Sequence, residues 1–423
     1  MVFERSRIEM LLDLLGNPHR AYPSIHLTGT NGKSSTARMI DSVLRAHGLR
    51  TGRYTSPHLK SVRERIALDG VPVSEERFVA VYREVEPLAA LVDKQHAEPL
   101  TYFDMTTALA LAAFADAPVD VAVVEVGLGG ETDSTNVLSA PVCVLTPIGL
   151  DHTEWLGDTI SDITHVKLGV VHEGATLISA TQPDDAARPI LEHCAERQVT
   201  LAREGAEFGV LRRAVAFGGQ QVALQGLGGV YDDVFLPLHG AHQAQNAALA
   251  VAAAEAFLGG GANRQLDVDV VREGFAAVSA PGRLERVRTS PTVLLDAAHN
   301  PAGMAATAQA LLEEFSFRRL VAVVAMLGDK DARGLLEELE PVADAVVVTT
   351  NSSERALPTE QLAVAAREIF GPERVAVAPN LLEAVDAAVT LAESDEGAGM
   401  PGAAVLVTGS VVTVADARRM FVS

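Results

Sequence analysis

The stretch SIHLTGTNGKSSTARMI, residues 24–40, determines how the whole chain is interpreted. Its first five residues, SIHLT, predict a short β-strand, and apolar residues recur at helical spacing from Met39 onward. A loop with two glycines and a lysine separates the two patterns. Because the free N–H groups and the dipole at a helix N-terminus favour phosphate, the sequence predicts a phosphate-binding loop here.

Each residue type in this loop suits a nucleotide. Gly29 and Gly32 would let the backbone approach phosphate closely, Lys33 can reach the β- and γ-phosphates, and a serine hydroxyl can join a Mg²⁺ shell. The match to a standard P-loop is partial, because the first glycine of that motif falls at Leu27. A plain turn is the alternative, and the strand–loop–helix context favours a bound triphosphate over it.

Composition limits the classes of protein to consider. The 423 residues suffice for two domains, and 48% hydrophobic with 21% charged residues is typical of a soluble globular protein. The net charge of −21 speaks against a nucleic-acid partner or an anionic membrane surface. No apolar run approaches the roughly 20 residues of a membrane span, and the first ten residues are charged, so we expect a cytoplasmic protein. Cys143 reads as a buried thiol in a strand.

Glu125 interrupts the otherwise apolar strand in DVAVVEVGLGG, residues 120–130. A buried carboxylate is costly unless it is paired or binds a metal. Ligands of doubly wound sheets gather at the carboxyl ends of the strands. We therefore expect Glu125 to bind Mg²⁺ facing the phosphate loop; the alternative is an edge-strand glutamate that faces solvent.

Other segments offer candidate ligands whose roles the spacing leaves open. Asp151 and His152 follow a further strand, and Ser56 ends another one, where a simple Ser-Pro turn is equally consistent. Lys167 lies in a predicted helix and, on spacing alone, would be a solvated surface lysine.

Taken together, these segments belong to a series of motifs in the order typical of one family. The motifs are GTNGKSS, TSPHL, LTYFDMTTA, VVEVGLGGETDSTN, LDHTEWLG, HQAQNAA, APGRLE, LDAAHNP and MLGDKD. They span residues 25–331 and resemble the folylpolyglutamate synthase and dihydrofolate synthase family, within the Mur ligase superfamily of ATP-dependent amide-forming ligases. A C-terminal VLVTGS is consistent with the same ending.

The resemblance and the strand patterns predict an α/β fold with two domains. Residues 1–282 would form a P-loop ATPase domain with a mostly parallel sheet, and residues 283–423 a smaller C-terminal Rossmann-like α/β domain, with SAPGRLE as the hinge. Strand patterns of the second domain lie near 292–296, 319–326, 344–349 and 403–408. Residues 200–240 read as antiparallel strands appended to the first domain, and GGGAN and SDEGAGMPG as surface loops.

The resemblance also implies roles for individual residues. The ATP-binding residues are Thr30, Asn31, Gly32, Lys33, Ser34, Asn246, Arg283 and Asp296. The metal ligands are Ser56 and Glu125 for a first Mg²⁺ and His152, with Glu125 shared, for a second. Lys167 matches a lysine that CO₂ carbamylates, which would turn it into a further carboxylate ligand. The folate-binding residues are Tyr102, Phe103, Thr132, Asp133 and Ser134.

The implied enzyme joins L-glutamate to folates. ATP would phosphorylate the acceptor carboxylate, and the amine of glutamate would displace phosphate from the acyl phosphate, with Lys33, His152 and Lys167 as catalytic residues. Tetrahydrofolate polyglutamylation is expected, and the TDSTN and TYFD segments favour dihydropteroate as a second acceptor. A monofunctional folylpolyglutamate synthase is the alternative. The partners are small molecules only, the protein would be a monomer, and closure of the domain that carries Asp296 would complete the ATP site.

Two departures from the family pattern bear on these expectations. The family lysine usually lies in Glu-Lys-Ala-Gly, whereas Lys167 lies in HVKLG. Only 23 residues precede the first strand, where family members often carry an extra helix and a folate-contacting loop, so the resemblance does not extend to that part of the pocket. The same lack of room disfavours a peptidoglycan Mur ligase. A P-loop kinase would not need Glu125, His152 and Lys167, and a non-catalytic nucleotide switch would bind without turnover.

Overall fold

The computed structural model describes residues 4–259, 264–394 and 402–422. The chain forms two compact units, one of Met1–Pro237 with Gln243–Ser279 and the other of Leu238–His242 with Ala280–Ser423. Each unit is built on a mostly parallel sheet with helices, so the predicted α/β fold class is confirmed. The predicted domain boundary after residue 282 lies close to the division at Ser279.

The elements of the first unit alternate between strands and helices for most of its length. Its strands are β1 (Ser24–Thr28), β2 (Thr51–Tyr54), β3 (Ile66–Leu68), β4 (Val71–Pro72), β5 (Val121–Glu125), β6 (Val142–Leu145), β7 (Thr176–Ser179), β8 (Thr200–Arg203), β9 (Gly209–Ala216), β10 (Gly219–Gln225) and β11 (Val230–Leu236). Its helices are α1 (Ser6–Leu14), α2 (Lys33–Ala46), α3 (Glu75–Asp93), α4 (Tyr102–Asp116), α5 (Thr153–Leu156), α6 (Ile160–Leu168), α7 (Asp184–Glu196), α8 (Ala241–Phe257) and α9 (Val268–Ala276).

The main sheet of this unit brings the candidate motifs to one edge. Its strand order is β4-β3-β2-β5-β1-β6-β7-β8. Neighbouring strands from β2 to β8 in this order pair in parallel, whereas β3 pairs antiparallel with both β2 and β4. Strands β1 and β5 are buried along their whole length, as central strands of parallel sheets usually are, although β1 contains three polar residues. Since β2, β5, β1 and β6 are neighbours, the loops after their carboxyl ends lie side by side.

The prediction for residues 200–240 is correct in part. Strands β9, β10 and β11 form an antiparallel three-stranded sheet, as expected. Residues Thr200–Arg203 do not join it, because β8 pairs in parallel with β7 and extends the main sheet. The four residues follow the helix α7, so they complete a β–α–β crossover, which places them parallel to β7.

The second unit repeats the alternation on a smaller scale. Its strands are β12 (Glu285–Thr289), β13 (Thr292–Leu295), β14 (Arg319–Val324), β15 (Ala345–Val348), β16 (Val375–Val377) and β17 (Ala403–Thr408). Its helices are α10 (Pro301–Glu314), α11 (Ala332–Leu339), α12 (Thr359–Phe370), α13 (Leu381–Glu393) and α14 (Val411–Phe421). The order is β12-β13-β17-β14-β15-β16, parallel except for β12, so the four predicted strands are confirmed as β13, β14, β15 and β17.

Three remaining sequence predictions concern loops, membranes and cysteine. The predicted loops GGGAN and SDEGAGMPG fall largely on residues 260–263 and 395–401, outside the described residues. Over the described ranges, no helix is both long and apolar enough to traverse a bilayer. Cys143 is fully buried in β6, which confirms the expected structural thiol.

Candidate active site

The loop between β1 and α2 is shaped by its two glycines. Gly29 has φ +137°, and a side chain there would press against Thr146, whose carbonyl oxygen would lie 2.7 Å from the added Cβ. Gly32 has φ +90°, and its added Cβ would lie 2.6 Å from Oδ1 of Asn246. The N–H groups of Thr30 and Asn31 donate to the carbonyl of Pro147 at 3.0 and 3.3 Å. The loop is therefore held against the end of β6, and Asn246 of α8 lies beside Gly32.

Two lysines converge on one carbonyl oxygen in this loop. Nζ of Lys33 donates to the carbonyl oxygens of Gly29 at 2.9 Å and Thr30 at 3.1 Å. Nζ of Lys167, from α6, donates to the same oxygen of Gly29 at 2.8 Å. Lys167 is only 4% exposed, so its interpretation as a solvated surface lysine was wrong. Spacing cannot reveal this burial, because α6 packs its last turn under the loop.

Burial changes the acid–base behaviour of Lys167. Burial removes water from the ammonium group and so disfavours its charged form. This effect, with a smaller contribution from the charge of Lys33, lowers the pKa of Lys167 to about 7. A lysine with an ordinary pKa is almost entirely protonated at neutral pH. Near pH 7, Lys167 therefore has a substantial neutral fraction, which is the form of an amine that can react with CO₂.

Glu125 lies at the carboxyl end of β5, in the interior of the sheet. The residue is 2% exposed and β5 is flanked by β2 and β1, so the alternative of an edge-strand glutamate in solvent is excluded. Oγ of Ser34 donates to the carboxylate at 2.9 Å from each oxygen, and the N–H of Ser56 donates to Oε2 at 3.1 Å. Ser34 was predicted as an ATP contact, and its hydroxyl proves to reach the predicted metal ligand as well.

These oxygen groups suit a magnesium ion. Carboxylate and hydroxyl oxygens are hard ligands, and Mg²⁺ is usually held by one or two carboxylates together with water and substrate phosphates. Within the described residues no group of three or more His, Cys, Asp or Glu side chains forms an all-protein metal cage. The donor set around Glu125 and Ser34 therefore fits Mg²⁺ that arrives with a nucleotide.

His152 precedes the short helix α5 in a left-handed conformation, with φ +53°. Its backbone N–H donates to Oδ1 of Asp151 at 2.9 Å, and its Nε2 lies 4.0 Å from the same oxygen. About a third of the His152 side chain is exposed. The pair thus sits in the loop after β6 as the sequence predicted, and the second metal site stays a prediction.

A cavity of about 440 Å³ lies beside this cluster in the first unit. Its lining residues are Glu4, Arg7, Ser56, Pro57, Arg65, Thr101, Tyr102, Phe103, Asp104, Gly127, Leu128, Thr132, Asp133 and Ser134. All five residues predicted to bind folate are among them. Glu4 and Arg7 belong to the N-terminal segment and, like Arg65 and Asp104, were missed, because isolated charged residues in a sequence resemble solvated surface groups.

Aromatic and ionic groups shape the cavity wall. Tyr102 is 58% exposed, and the guanidinium of Arg65 lies 5.2 Å from the centre of its ring. The Phe103 ring lies where a side chain at Gly127 would be, so that glycine makes room for it. Oγ of Ser134 donates to Oδ1 of Asp104 at 2.5 Å. The cavity thus offers flat apolar surface with charged groups at its margin.

The carboxylate of Asp133 forms hydrogen bonds within the loop that carries it. Its carboxylate accepts hydrogen bonds from the N–H of Leu128 at 2.9 Å, the N–H of Thr135 at 3.0 Å and the hydroxyl of Thr135 at 2.5 Å. Burial raises the pKa of Asp133, and these hydrogen bonds oppose the increase. The predicted folate contact therefore has its carboxylate engaged in holding the cavity wall.

In the second unit, Asp296 is buried after β13. Its Oδ2 accepts from the N–H of Leu284 at 2.9 Å, and its Oδ1 accepts from the N–H of Ala298 at 3.0 Å and the hydroxyl of Thr307 at 2.9 Å. Asp296 thus joins the segment after Arg283 to the loop before α10. Its predicted ATP contact, and that of Arg283, stay predictions.

Comparison with known proteins gives consistent results over almost the full chain. The family model described as "Mur ligase middle domain" matches residues 27–254, and "Mur ligase, glutamate ligase domain" matches residues 282–411. The chain is 53% identical to the dihydrofolate synthase/folylpolyglutamate synthase of Mycobacterium tuberculosis, over 98% of this chain and 89% of that protein.

Two solved structures are similar throughout. The Mycobacterium tuberculosis folylpolyglutamate synthase complexed with ADP matches with a TM-score of 0.95 and 53% identity, covering 99% of this chain and 94% of that one. A solved FPGS–AMPPCP–folate complex matches with a TM-score of 0.84 and 31% identity, covering 100% and 96%.

Proposed function

The chain belongs to the Mur ligase family, in its folylpolyglutamate and dihydrofolate synthase branch, and we propose on this premise that it joins L-glutamate to folates at the expense of ATP. One observation carries the proposal. Ser56 lines the cavity and its N–H also donates to Glu125, to which Ser34 of the phosphate loop is bonded as well. An acceptor in the cavity would therefore have its carboxylate next to the triphosphate.

The phosphate loop would supply the positive charge for phosphoryl transfer. Lys33 and the N–H groups at the start of α2 would bind the β- and γ-phosphates and stabilise charge on the group in transfer. Ser34 and Glu125 would hold the first Mg²⁺, with Ser56 as a further predicted ligand, and His152 is predicted to bind a second ion that shares Glu125. When bound, this ion would neutralise phosphate charge and favour attack by the acceptor carboxylate.

Carbamylation of Lys167 fits the same site. The neutral amine forms a C–N bond to CO₂ and loses one proton to water, so a neutral group beside Lys33 becomes an anion. The lowered pKa of Lys167 supports this reaction, because it makes the neutral amine available near pH 7. The carbamate would neutralise Lys33 and offer oxygen atoms to a second Mg²⁺.

The acceptors would be both tetrahydrofolate and 7,8-dihydropteroate. The Mycobacterium tuberculosis relative carries both enzyme names, and the cavity offers the Phe103 and Tyr102 rings as surfaces for a pterin. A monofunctional folylpolyglutamate synthase is the second candidate, favoured if the loop of Asp133 excludes a pterin without a glutamate tail. We also infer that the enzyme acts as a monomer in the cytoplasm.

Isotope transfer tests the acyl-phosphate route. The acceptor is prepared with ¹⁸O in its carboxylate, and the inorganic phosphate released with ATP, L-glutamate and Mg²⁺ is examined by mass spectrometry. One ¹⁸O atom per phosphate is expected, because the carboxylate oxygen that attacks the γ-phosphate leaves with it. Unlabelled phosphate alongside glutamylated product would contradict the route, and a phosphorylated end product would indicate a kinase.

A further inference from the structure

His26 is a buried polar residue in the middle of β1 for which the proposed chemistry has no use. It is fully buried, and its neighbours in the strand, Ile25 and Leu27, are ordinary apolar core residues. Its Nδ1 is buried and has no hydrogen-bond partner in the part of the chain that the structure describes. Burying an imidazole this way costs free energy that an apolar residue would not, so a compensating role is expected.

The other ring nitrogen points to that role. Nε2 of His26 lies 2.8 Å from Oγ1 of Thr135, and that hydroxyl donates to Oδ1 of Asp133 at 2.5 Å. Since Asp133 also accepts two backbone N–H groups, it acts as a carboxylate acceptor, and the single hydroxyl proton of Thr135 is directed to it. His26 must therefore donate from Nε2, which gives a chain of hydrogen bonds in one direction from β1 to Asp133.

A second residue of β1 holds the other part of the same loop. We call residues 127–135, which follow β5 and carry Asp133, the acceptor loop. Oγ1 of Thr28 donates to the carbonyl of Gly129 at 2.9 Å. His26 and Thr28 are two positions apart in the strand, so both side chains leave the same face of the sheet. Immediately after Thr28 the chain enters the phosphate loop. One strand thus anchors the acceptor loop at two points and leads into the loop that binds phosphate.

We propose that His26 is a positioning residue for the acceptor, which acts through Thr135 and Asp133 to hold the acceptor loop in register with the phosphate loop. The inference rests on the proposed function, since it names a further residue of the same acceptor site. Its effect would be on the folate or dihydropteroate substrate, while ATP binding would be largely unchanged because the phosphate loop keeps its own anchors at Pro147.

The neutral state of His26 supports this assignment. Burial, with a smaller contribution from His172, lowers the pKa of His26 to about 3. The ring therefore stays uncharged at neutral pH and keeps one N–H, which the hydrogen-bond pattern places on Nε2. A charged ring would add a buried cation next to the sheet, which the neutral donor avoids.

Substitution of His26 separates positioning from simple stability. We expect His26→Phe to raise the KM for dihydropteroate and tetrahydrofolate about tenfold, as for the loss of one buried hydrogen bond, while the KM for ATP changes less than about twofold. His26→Gln, which can still donate to Thr135, should recover most of the acceptor affinity. Ile25→Val in the same strand is the matched control, since it lowers thermal stability without touching the acceptor loop.

Two further readouts make the result decisive. Dihydropteroate fluorescence, with ADP and Mg²⁺ present, measures acceptor binding without turnover. Thr135→Val should weaken acceptor binding as much as His26→Phe does. Because the two residues act in one chain of hydrogen bonds, the double variant should bind the acceptor no more weakly than either single variant. Imidazole ¹⁵N spectra should show His26 as the neutral Nε2–H form, its signal being the one that disappears in His26→Gln.

Unchanged acceptor binding in His26→Phe, equal losses of affinity for acceptor and ATP in that variant, or an Nδ1–H form of His26 would overturn the inference. A wild type that binds dihydropteroate but incorporates no glutamate would instead overturn the proposed function alone.

Discussion

At the scale of single residues, the carbonyl oxygen of Gly29 is the atom at which two lysine side chains of the site meet. It accepts hydrogen bonds from the side-chain nitrogens of both Lys33 and Lys167, the first partly buried and the second buried. Burial, with a smaller contribution from the charge of Lys33, lowers the pKa of Lys167, so Lys167 is the amine that is driven toward neutrality. Lys33 is the less buried of the two and is the residue predicted to contact the triphosphate.

Substitution of Lys33 tests the phosphate loop. We expect Lys33→Ala to lower kcat/KM by at least about a thousandfold, since the cation stabilises charge that develops only during phosphoryl transfer. Initial rates of phosphate release, at saturating acceptor and glutamate, measure the effect. Lys94→Ala, which removes an exposed lysine after α3, is the control and should leave the rate unchanged. Retained activity in Lys33→Ala would contradict the phosphate-loop assignment.

The pH dependence of Lys167 carbamylation is a second prediction. Its pKa of about 7 means that the neutral amine, the form that attacks CO₂, increases as the pH rises through 7. With ¹³C-bicarbonate, the carbamate signal in the carbon NMR spectrum should therefore grow from about pH 6 to about pH 8. Lys167→Arg should show no such signal. A wild-type protein without a carbamate signal at either pH would refute the proposed modification.

Site residues could be predicted best where the sequence pattern itself implied that a polar residue is buried. Glu125 could be predicted because a carboxylate inside a continuous apolar run has few structural explanations. Arg7 and Arg65 could not, since their place in the cavity wall depends on how α1 and the segment before β3 pack against α4. Lys167 had no local signal of burial, and only its resemblance to a family lysine separated it from a surface residue.

At the scale of elements, the turn from β1 into α2 depends on Gly32. Its φ of +90° is unfavourable for any side chain, and a Cβ would also collide with Asn246 of α8. Gly48, after α2, has a similar φ of +84° but nothing within 4 Å of an added Cβ. The two glycines therefore differ in the space around them rather than in backbone strain.

This difference gives a matched pair of substitutions. Gly32→Ala and Gly48→Ala should each lose about 1 kcal/mol of stability from the left-handed conformation. Only Gly32→Ala should also raise the KM for ATP, by about tenfold or more, because the collision displaces Asn246 or the loop. Thermal unfolding and steady-state kinetics measure the two effects. Equal ATP affinity in the two variants would show that the loop does not need the close approach at Gly32.

Element types could be predicted better than element partners. Strands β13, β14, β15 and β17 have apolar runs bounded by turn residues, and each was found close to its predicted position. For Thr200–Arg203 a strand was correctly predicted, but its predicted place in the antiparallel sheet was wrong. Alternation of apolar and polar residues indicates a strand, whereas pairing with β7 follows from the crossover through α7, which a local pattern does not encode.

At the scale of the whole molecule, the distribution of charge explains how an acidic protein can bind anions. The chain has a net charge of −21, yet its site requires an anionic nucleotide and an anionic folate. The structure offers local candidates for this binding, with Lys33 and helix N–H groups at the predicted phosphate loop and with Arg7 and Arg65 in the cavity wall. The nine motifs indicated the family, and the geometry of the first unit shows how residues of the motifs within that unit come together.

The central claim is that one site ligates glutamate to two acceptors. The most direct test is ATP-dependent incorporation of labelled L-glutamate with 7,8-dihydropteroate and tetrahydrofolate as separate acceptors. We predict turnover of both, each with one ADP and one phosphate released per glutamate incorporated, and competition between the two acceptors for the cavity. Incorporation into tetrahydrofolate alone would contradict the claim of two acceptors, and incorporation into neither would contradict the account as a whole.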